Sequence, residues 1–171
     1  MSLLKTTFIT KNSIGKISKI TRDIFNRGIN INKSQMVTHR NLLIFNTEYY
    51  NPMNIVMDDI ITKYNFTDLN EIFDPSYHTK KYYYKRLMIS CSDTPGIIHD
   101  TSDLCSKLNI NINSLDTNCH KGAMSCVDIF NLNVYLEIPE HIREQDLKNK
   151  MSVLVDKYGI EIDFGNNRYK D

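Results

Sequence analysis

The chain reads as an α+β protein made of two tandem copies of one strand–helix–strand–strand–helix–strand unit. Three observations lead there. Setting Gly15 over Gly96, an offset of 81 residues, brings Ile17 onto Ile98 without a gap. The same offset brings Ile29-Asn30-Ile31-Asn32 onto Ile110-Asn111-Ile112-Asn113, and such self-similarity at a fixed spacing marks a repeated supersecondary unit. In both halves the apolar residues switch between period two and helical spacing in the same order. The length of 171 residues suits two units of about 80 residues each, each with a modest core that gains by packing on a neighbour.

The first strand of each copy is Thr7–Thr10 and Arg86–Cys91. A turn holding the glycine follows, then a helix with Ile17, Ile20 and Ile24 on one face in copy one. Copy two places Ile97, Thr101, Leu104, Cys105 and Leu108 at helical steps. Gly28 and Asn109 stand where a helix ends on a left-handed residue, a conformation both types tolerate. Ile29 and Ile31, and Ile110 and Ile112, then alternate as strands do. The third strand is Leu42–Phe45 in copy one. In copy two it runs from Val127 to Ile138, with Phe130, Leu132, Val134, Leu136 and Ile138 alternating. The second helix spans about Met53 to Tyr64 in copy one, with Ile55, Val56, Ile60 and Ile61 apolar. In copy two it starts after Pro139 and carries Leu147, Met151, Leu154 and Val155. Ile160, Ile162 and Phe164 form the closing strand. This order is the ferredoxin-like split βαβ, an antiparallel sheet with both helices on one face. The other face is apolar enough to want a partner, which the repeat itself is expected to supply. The units are assigned to residues 1–76 and 82–171, with the turn signal Asp74-Pro75 between them.

Composition narrows the function classes. Hydrophobic residues are 41% and charged residues 24%, with a net charge of +1, so neither disorder nor a field that steers the chain to nucleic acid or membrane is expected. No apolar run reaches the roughly 18 residues of a membrane span. Lys5, Lys11, Lys16, Lys19 and Arg22 precede the first acid, Asp23, a bias shared with mitochondrial transit peptides. Because the repeat includes this segment, it is expected to be the first strand and helix of a cytoplasmic protein. Cys91, Cys105, Cys119 and Cys126 lie in apolar surroundings without a C-x-x-C pair and read as reduced thiols. Cys119-His120 lacks the second ligand pair of a metal site. The stretch Lys80–Arg86 mixes basic and aromatic residues; it is expected to be an exposed lead-in whose tyrosines pack between the copies rather than a single-strand binder. No P-loop, dinucleotide fingerprint or nucleophile–base–orienter set can be named. No metal, cofactor or catalytic residue is expected.

Ser92-Asp93-Thr94-Pro95-Gly96-Ile97, a helix, and then Asn109-Ile110-Asn111-Ile112 resemble the D-x-P-G-[IV] … G-I-N-I signature of ACT domains. Two such units without a catalytic domain are similar to the tandem-ACT repressors of the glycine cleavage system, as are Leu115-Asp116-Thr117, Gly122–Ser125 and Phe130. The resemblance covers the second copy nearly end to end. Copy one, with Lys11-Asn12-Ser13-Ile14-Gly15, lacks the acid and the proline of the loop. The resemblance implies a regulatory protein that is not an enzyme and binds a small amino acid such as glycine or serine. It also implies a homodimer with a further protein partner and no direct hold on nucleic acid. The ligand-binding set it implies is Asp93, Thr94, Pro95, Gly96, Ile97, Asn109, Asn111 and Asp116, with copy two holding the site and copy one structural. The residues fit: a glycine lets a ligand approach the backbone, a helix N-terminus suits a carboxylate, and Asp93 can cap the helix or hold an α-ammonium. The competing reading is a ligand-free interaction and dimerisation module.

Overall fold

In the computed structural model, which describes residues 3–39, 41–50, 55–65, 82–122 and 127–165, both copies fold as the repeat predicts. Copy one comprises β1 (Leu3–Lys11), α1 (Lys16–Asn26), β2 (Ile31–His39), β3 (Leu42–Tyr50) and α2 (Asp58–Tyr64). Copy two comprises β4 (Tyr82–Ser92), α3 (Ile97–Lys107), β5 (Asn111–Lys121), β6 (Asp128–Pro139), α4 (Glu144–Tyr158) and β7 (Glu161–Gly165). The closing strand of copy one and the boundary between the units fall outside the described residues.

The strands form one antiparallel sheet in the order β1-β3-β2-β5-β6-β4-β7. Alternation decides which face each residue takes. Phe8, Met36, Phe45, Leu87, Ile89, Leu115 and the Phe130–Ile138 series are buried under the helices. Ile17, Ile20 and Ile24, then Leu147, Met151 and Leu154, close the core from above. Each such side chain contributes about 1.5–3 kcal/mol by leaving water.

The repeat extends to details that composition hides. Gly15 (φ 79°) and Gly96 (φ 97°) occupy the same left-handed position before their helices. Gly28 (φ 72°) and Asn109 (φ 57°) do so after them. The strand register slips between Ile31 and Lys33 in one copy and between Ile112 and Ser114 in the other, at positions matched by the 81-residue offset.

The two copies join edge to edge. β2 pairs antiparallel with β5, and Gln35 faces Asp116, its own counterpart in the repeat. Above the sheet, α1 lies against α3, where Thr21 Oγ1 and Ser102 Oγ, another matched pair, stand 3.5 Å apart. The seam is polar and satisfied: the buried hydroxyls of Ser34 and Thr117 share a hydrogen bond of 2.8 Å.

Several expectations need correction. The repeat does not cover the open sheet face; it lengthens the sheet, because β2 and β5 present free edges to each other. Val37 and Tyr135 stay exposed there. Helix α2 begins at Asp58, not near Met53, which lies outside the described residues. Ile55–Met57 are not helical, and Val56 is 64% exposed. The acidic pair Asp58 and Asp59 suits a helix N-terminus. Val155 faces outward on α4. The tyrosines of the basic lead-in belong to β4, and Tyr83 packs within copy two: its hydroxyl donates to the Ile142 carbonyl. Buried Lys85 pairs with Glu144 at 2.8 Å. None of the described helices is long and apolar enough to cross a membrane.

Replacing Ser34 by Ala leaves the fully buried Thr117 hydroxyl without this partner. The loss is expected to be about 1–3 kcal/mol, read from urea unfolding. Unchanged stability would remove the seam hydrogen bond from the forces joining the copies.

Candidate functional site between the two units

The loop from β4 to α3 opens onto the other unit, not onto its own next strand. Asp93, Thr94, Gly96, Ile97 and His99 line one side of a crevice. The opposite side is Thr21, Ile24 and Phe25 of α1 with Ile29, Asn30 and Ile31 of the turn into β2, and Phe130 lies at the base. The crevice has about 320 Å³ between its walls, much of it open mouth.

Asp93 is the only charged carboxylate lining it. It does not cap the helix: Gly96 holds that place, and no side chain bonds to the helix end. Its Oδ2 accepts instead from Asn30 Nδ2 of the other copy at 3.1 Å, and its carboxylate also engages the Cys119 thiol. Burial raises its pKa, the Asn30 and Cys119 hydrogen bonds oppose this, and nearby Asp128 pushes it up further. Gly96 is required by its positive φ and by crowding. A Cβ there would stand 3.3 Å from the Phe25 ring and 3.4 Å from the Tyr158 hydroxyl.

The remaining expected site residues are dispersed. Pro95 is exposed in the turn. Asn109 ends α3 in the left-handed conformation. Asn111 is buried, donates to Glu137 Oε2 at 2.8 Å, and lines a second crevice with Asn12, Ser13, Gly15 and Lys16 of copy one. Asp116 lies on the open face beside Gln35, Val37 and Tyr135. The antiparallel β2–β5 junction explains the exchange: it carries Asn30, the repeat counterpart of Asn111, to the Asp93 loop, and sends Asn111 to the loop of copy one. The two crevices are thus counterparts with different chemistry. Asn12 stands for Asp93, Lys16 for Ile97 and Ser106 for Phe25. Burial lowers the Lys16 pKa, and Lys19 adds to this.

Asp100 and Asp103 do not sit on an idle exposed face. Asp100 Oδ2 accepts from the Tyr158 hydroxyl at 2.6 Å and from Lys157. Asp103 takes Arg22 at 2.8 Å, Lys107 at 2.7 Å and the Ser18 hydroxyl at 3.2 Å. His99 lies over Phe25, with ring centroids 6.4 Å apart, and its Nδ1 donates to the Ser18 carbonyl at 3.2 Å. Asn30, Phe25 and Tyr158 were not foreseen. Asn30 carried a signal, since it repeats Asn111. Tyr158 did too: both second helices end in Lys-Tyr, and in copy one Lys63 and Tyr64 bind Asp23 as Lys157 and Tyr158 bind Asp100.

The thiols are not activated. Burial pushes Cys91 and Cys119 up to about 11 and Cys105 up to about 12. Cys91 and Cys119 both pair with Phe130, one on each side of β6. Two strand spacings put them about 10 Å apart, beyond disulfide reach. Among the described residues no cluster of His, Cys, Asp or Glu could hold a metal ion.

No protein-family model matches the chain, and no curated protein matches it. Solved structures share the fold. Aspartate kinase from Synechocystis superposes with a TM-score of 0.58 at 10% identity, over 95% of this chain and 28% of its own. An unknown protein from Galdieria sulphuraria aligns at 13% identity with a TM-score of 0.46, over 94% of this chain and 98% of its own. A candidate glycine cleavage system transcriptional repressor gives the same score and identity, over 97% and 98%. At these identities the likeness concerns the fold alone.

The Lys107 hydrogen bond outweighs burial and holds the Asp103 carboxyl below its ordinary value, with Ser18 and Arg22 adding to the effect. A depressed folded pKa stabilises fully above the unfolded value of about 4 and is lost as pH falls through the folded one. The stability gap between wild type and Asp103→Asn at pH 7 is therefore expected to close on acidification below about pH 4, measured by urea unfolding at both pH values. A gap that persists at low pH would show that the charge is not its source.

Proposed function

We propose that this chain is a regulatory amino-acid sensor without catalytic activity of its own, in which one amino acid seats in the crevice at Asp93. The observation that carries this reading is a carboxylate held by the other unit's Asn30 beside a helix end that has no side-chain cap. A zwitterion has the complementary pattern. Its ammonium suits Asp93, and its carboxylate suits the N–H groups of the first turn of α3. The D-T-P-G loop supports the same assignment. The counterpart crevice offers Asn12 where an ammonium needs an acid, which favours one ligand per chain.

Because the crevice is walled by both copies, a bound amino acid bridges them and stabilises their junction. A change at that junction is the signal that a second copy or a protein partner can read, in a role within amino-acid metabolism. Asn109, Asn111 and Asp116 have no part in this seat; Thr94, Gly96 and Ile97 shape it.

One observation favours the interaction-module reading: the uncovered sheet face with exposed Val37 and Tyr135. Calorimetry and melting curves against the twenty amino acids separate the two. Sensing predicts heat at a stoichiometry of one and a raised Tm. No heat and no shift with any of them would leave the interaction module.

Asp93→Asn sharpens the test. Losing the charged hydrogen bond is expected to weaken binding about 10–100-fold. An acid whose folded pKa is raised costs stability while ionised, and that cost is relieved as pH falls through the folded value. The variant should therefore be as stable as wild type or more so at pH 7. Wild-type affinity should fall in acid as Asp93 protonates, and the variant should lack that limb. A variant that binds like wild type would remove Asp93 from the site.

A further inference from the structure

From the same crevice we infer the ligand's side-chain class: a small aliphatic amino acid, with the Phe25 ring occupying the space its side chain takes. This rests on the sensor reading and refines it. The walls decide the class. Ile24, Ile29, Ile31, Ile97 and Phe130 supply an apolar lining, and Asp93 is the single charged group on it. An acidic side chain on the ligand meets no cation there. A basic one brings a second positive charge to one carboxylate, against apolar walls that do not solvate it. Glycine and serine leave the isoleucine surface unfilled.

The Phe25 ring stands at the mouth of this space. It touches the backbone at Gly96 and lies over the His99 ring, yet the residue is 41% exposed. An aromatic ring this exposed, next to an apolar lining, is held by few contacts and can swing outward. While it stays, the enclosed part of the crevice admits little more than one water molecule. Phe25 and the ligand's side chain therefore compete for one volume, and the ring sets the upper size of side chain accepted. The counterpart crevice has Ser106 over Gly15 and the amine of Lys16 in the wall, so it offers no such apolar seat.

The experiment is calorimetry of the full chain with glycine, alanine, serine, valine, leucine, phenylalanine, aspartate and lysine, repeated on Phe25→Ala. Wild-type affinity is expected to rise from glycine through alanine to valine, by about three- to fourfold per methylene, with no binding of aspartate or lysine. In Phe25→Ala, leucine and phenylalanine should gain about tenfold relative to valine, the vacated ring being worth at least two methylenes. Phe25→Trp, which keeps the contacts and enlarges the ring, should cut leucine binding and guards against a misfolded alanine variant. Glycine, serine or a charged amino acid binding as well as valine would overturn the aliphatic class and leave the site standing. An unchanged leucine-to-valine ratio in both variants would overturn the role of Phe25. No binding of any amino acid by wild type or variants would overturn the sensor reading beneath it.

Discussion

The antiparallel pairing of β2 with β5 is the junction on which the molecule's organisation depends. Strands at the free edges of two small sheets meet with Gln35 opposite Asp116, residues at the same place in the repeat. From that register the positions above the sheet follow. Thr21 meets Ser102, Ser18 reaches His99 and Asp103, and Asn30 arrives at Asp93. A slip of one residue would turn every side chain of the strand to the other face, so buried Ser34, Met36, Leu115 and Thr117 together hold the register.

The junction is also why the two copies could diverge. Each loop faces the start of β2 or β5 in its neighbour, so each crevice takes one loop from one copy and one strand entrance from the other. A change in either copy alters one crevice and spares its counterpart. Asp93, Ile97 and Phe25 make one crevice acidic and apolar, while Asn12, Lys16 and Ser106 leave the other polar with a basic wall. Both keep a glycine at positive φ, because the backbone of the turn is the same. The fold is thus symmetric in its main chain and asymmetric in its chemistry.

Much of the fold was legible because its signals are local. Period-two alternation in Phe130–Ile138, helical spacing in Ile17, Ile20 and Ile24, and left-handed residues at Gly28 and Asn109 each report on a few neighbours in the chain. The start of α2 was misplaced because Ile55 and Val56 have helical spacing but no partner to bury them fully. The site was half legible. Asp93, Thr94, Gly96 and Ile97 lie within five residues and act together. Asn111 and Asp116 are near them in sequence but were drawn away by pairings with β6 and β2 that local spacing does not encode.

The sequence alone determined that there are two units of one kind, which faces of their elements are apolar, and that a single copy carries an acidic loop before a glycine. Those properties follow from side-chain period and backbone tolerance. Only the tertiary structure decided how the units meet. Edge-to-edge and face-to-face joining bury the same classes of residue, and the difference lies in which backbone N–H and C=O groups remain free at an edge. Choosing the edge left one sheet face open, and it made Asn30 and Phe25 of the first copy walls of the crevice that the second copy's loop begins.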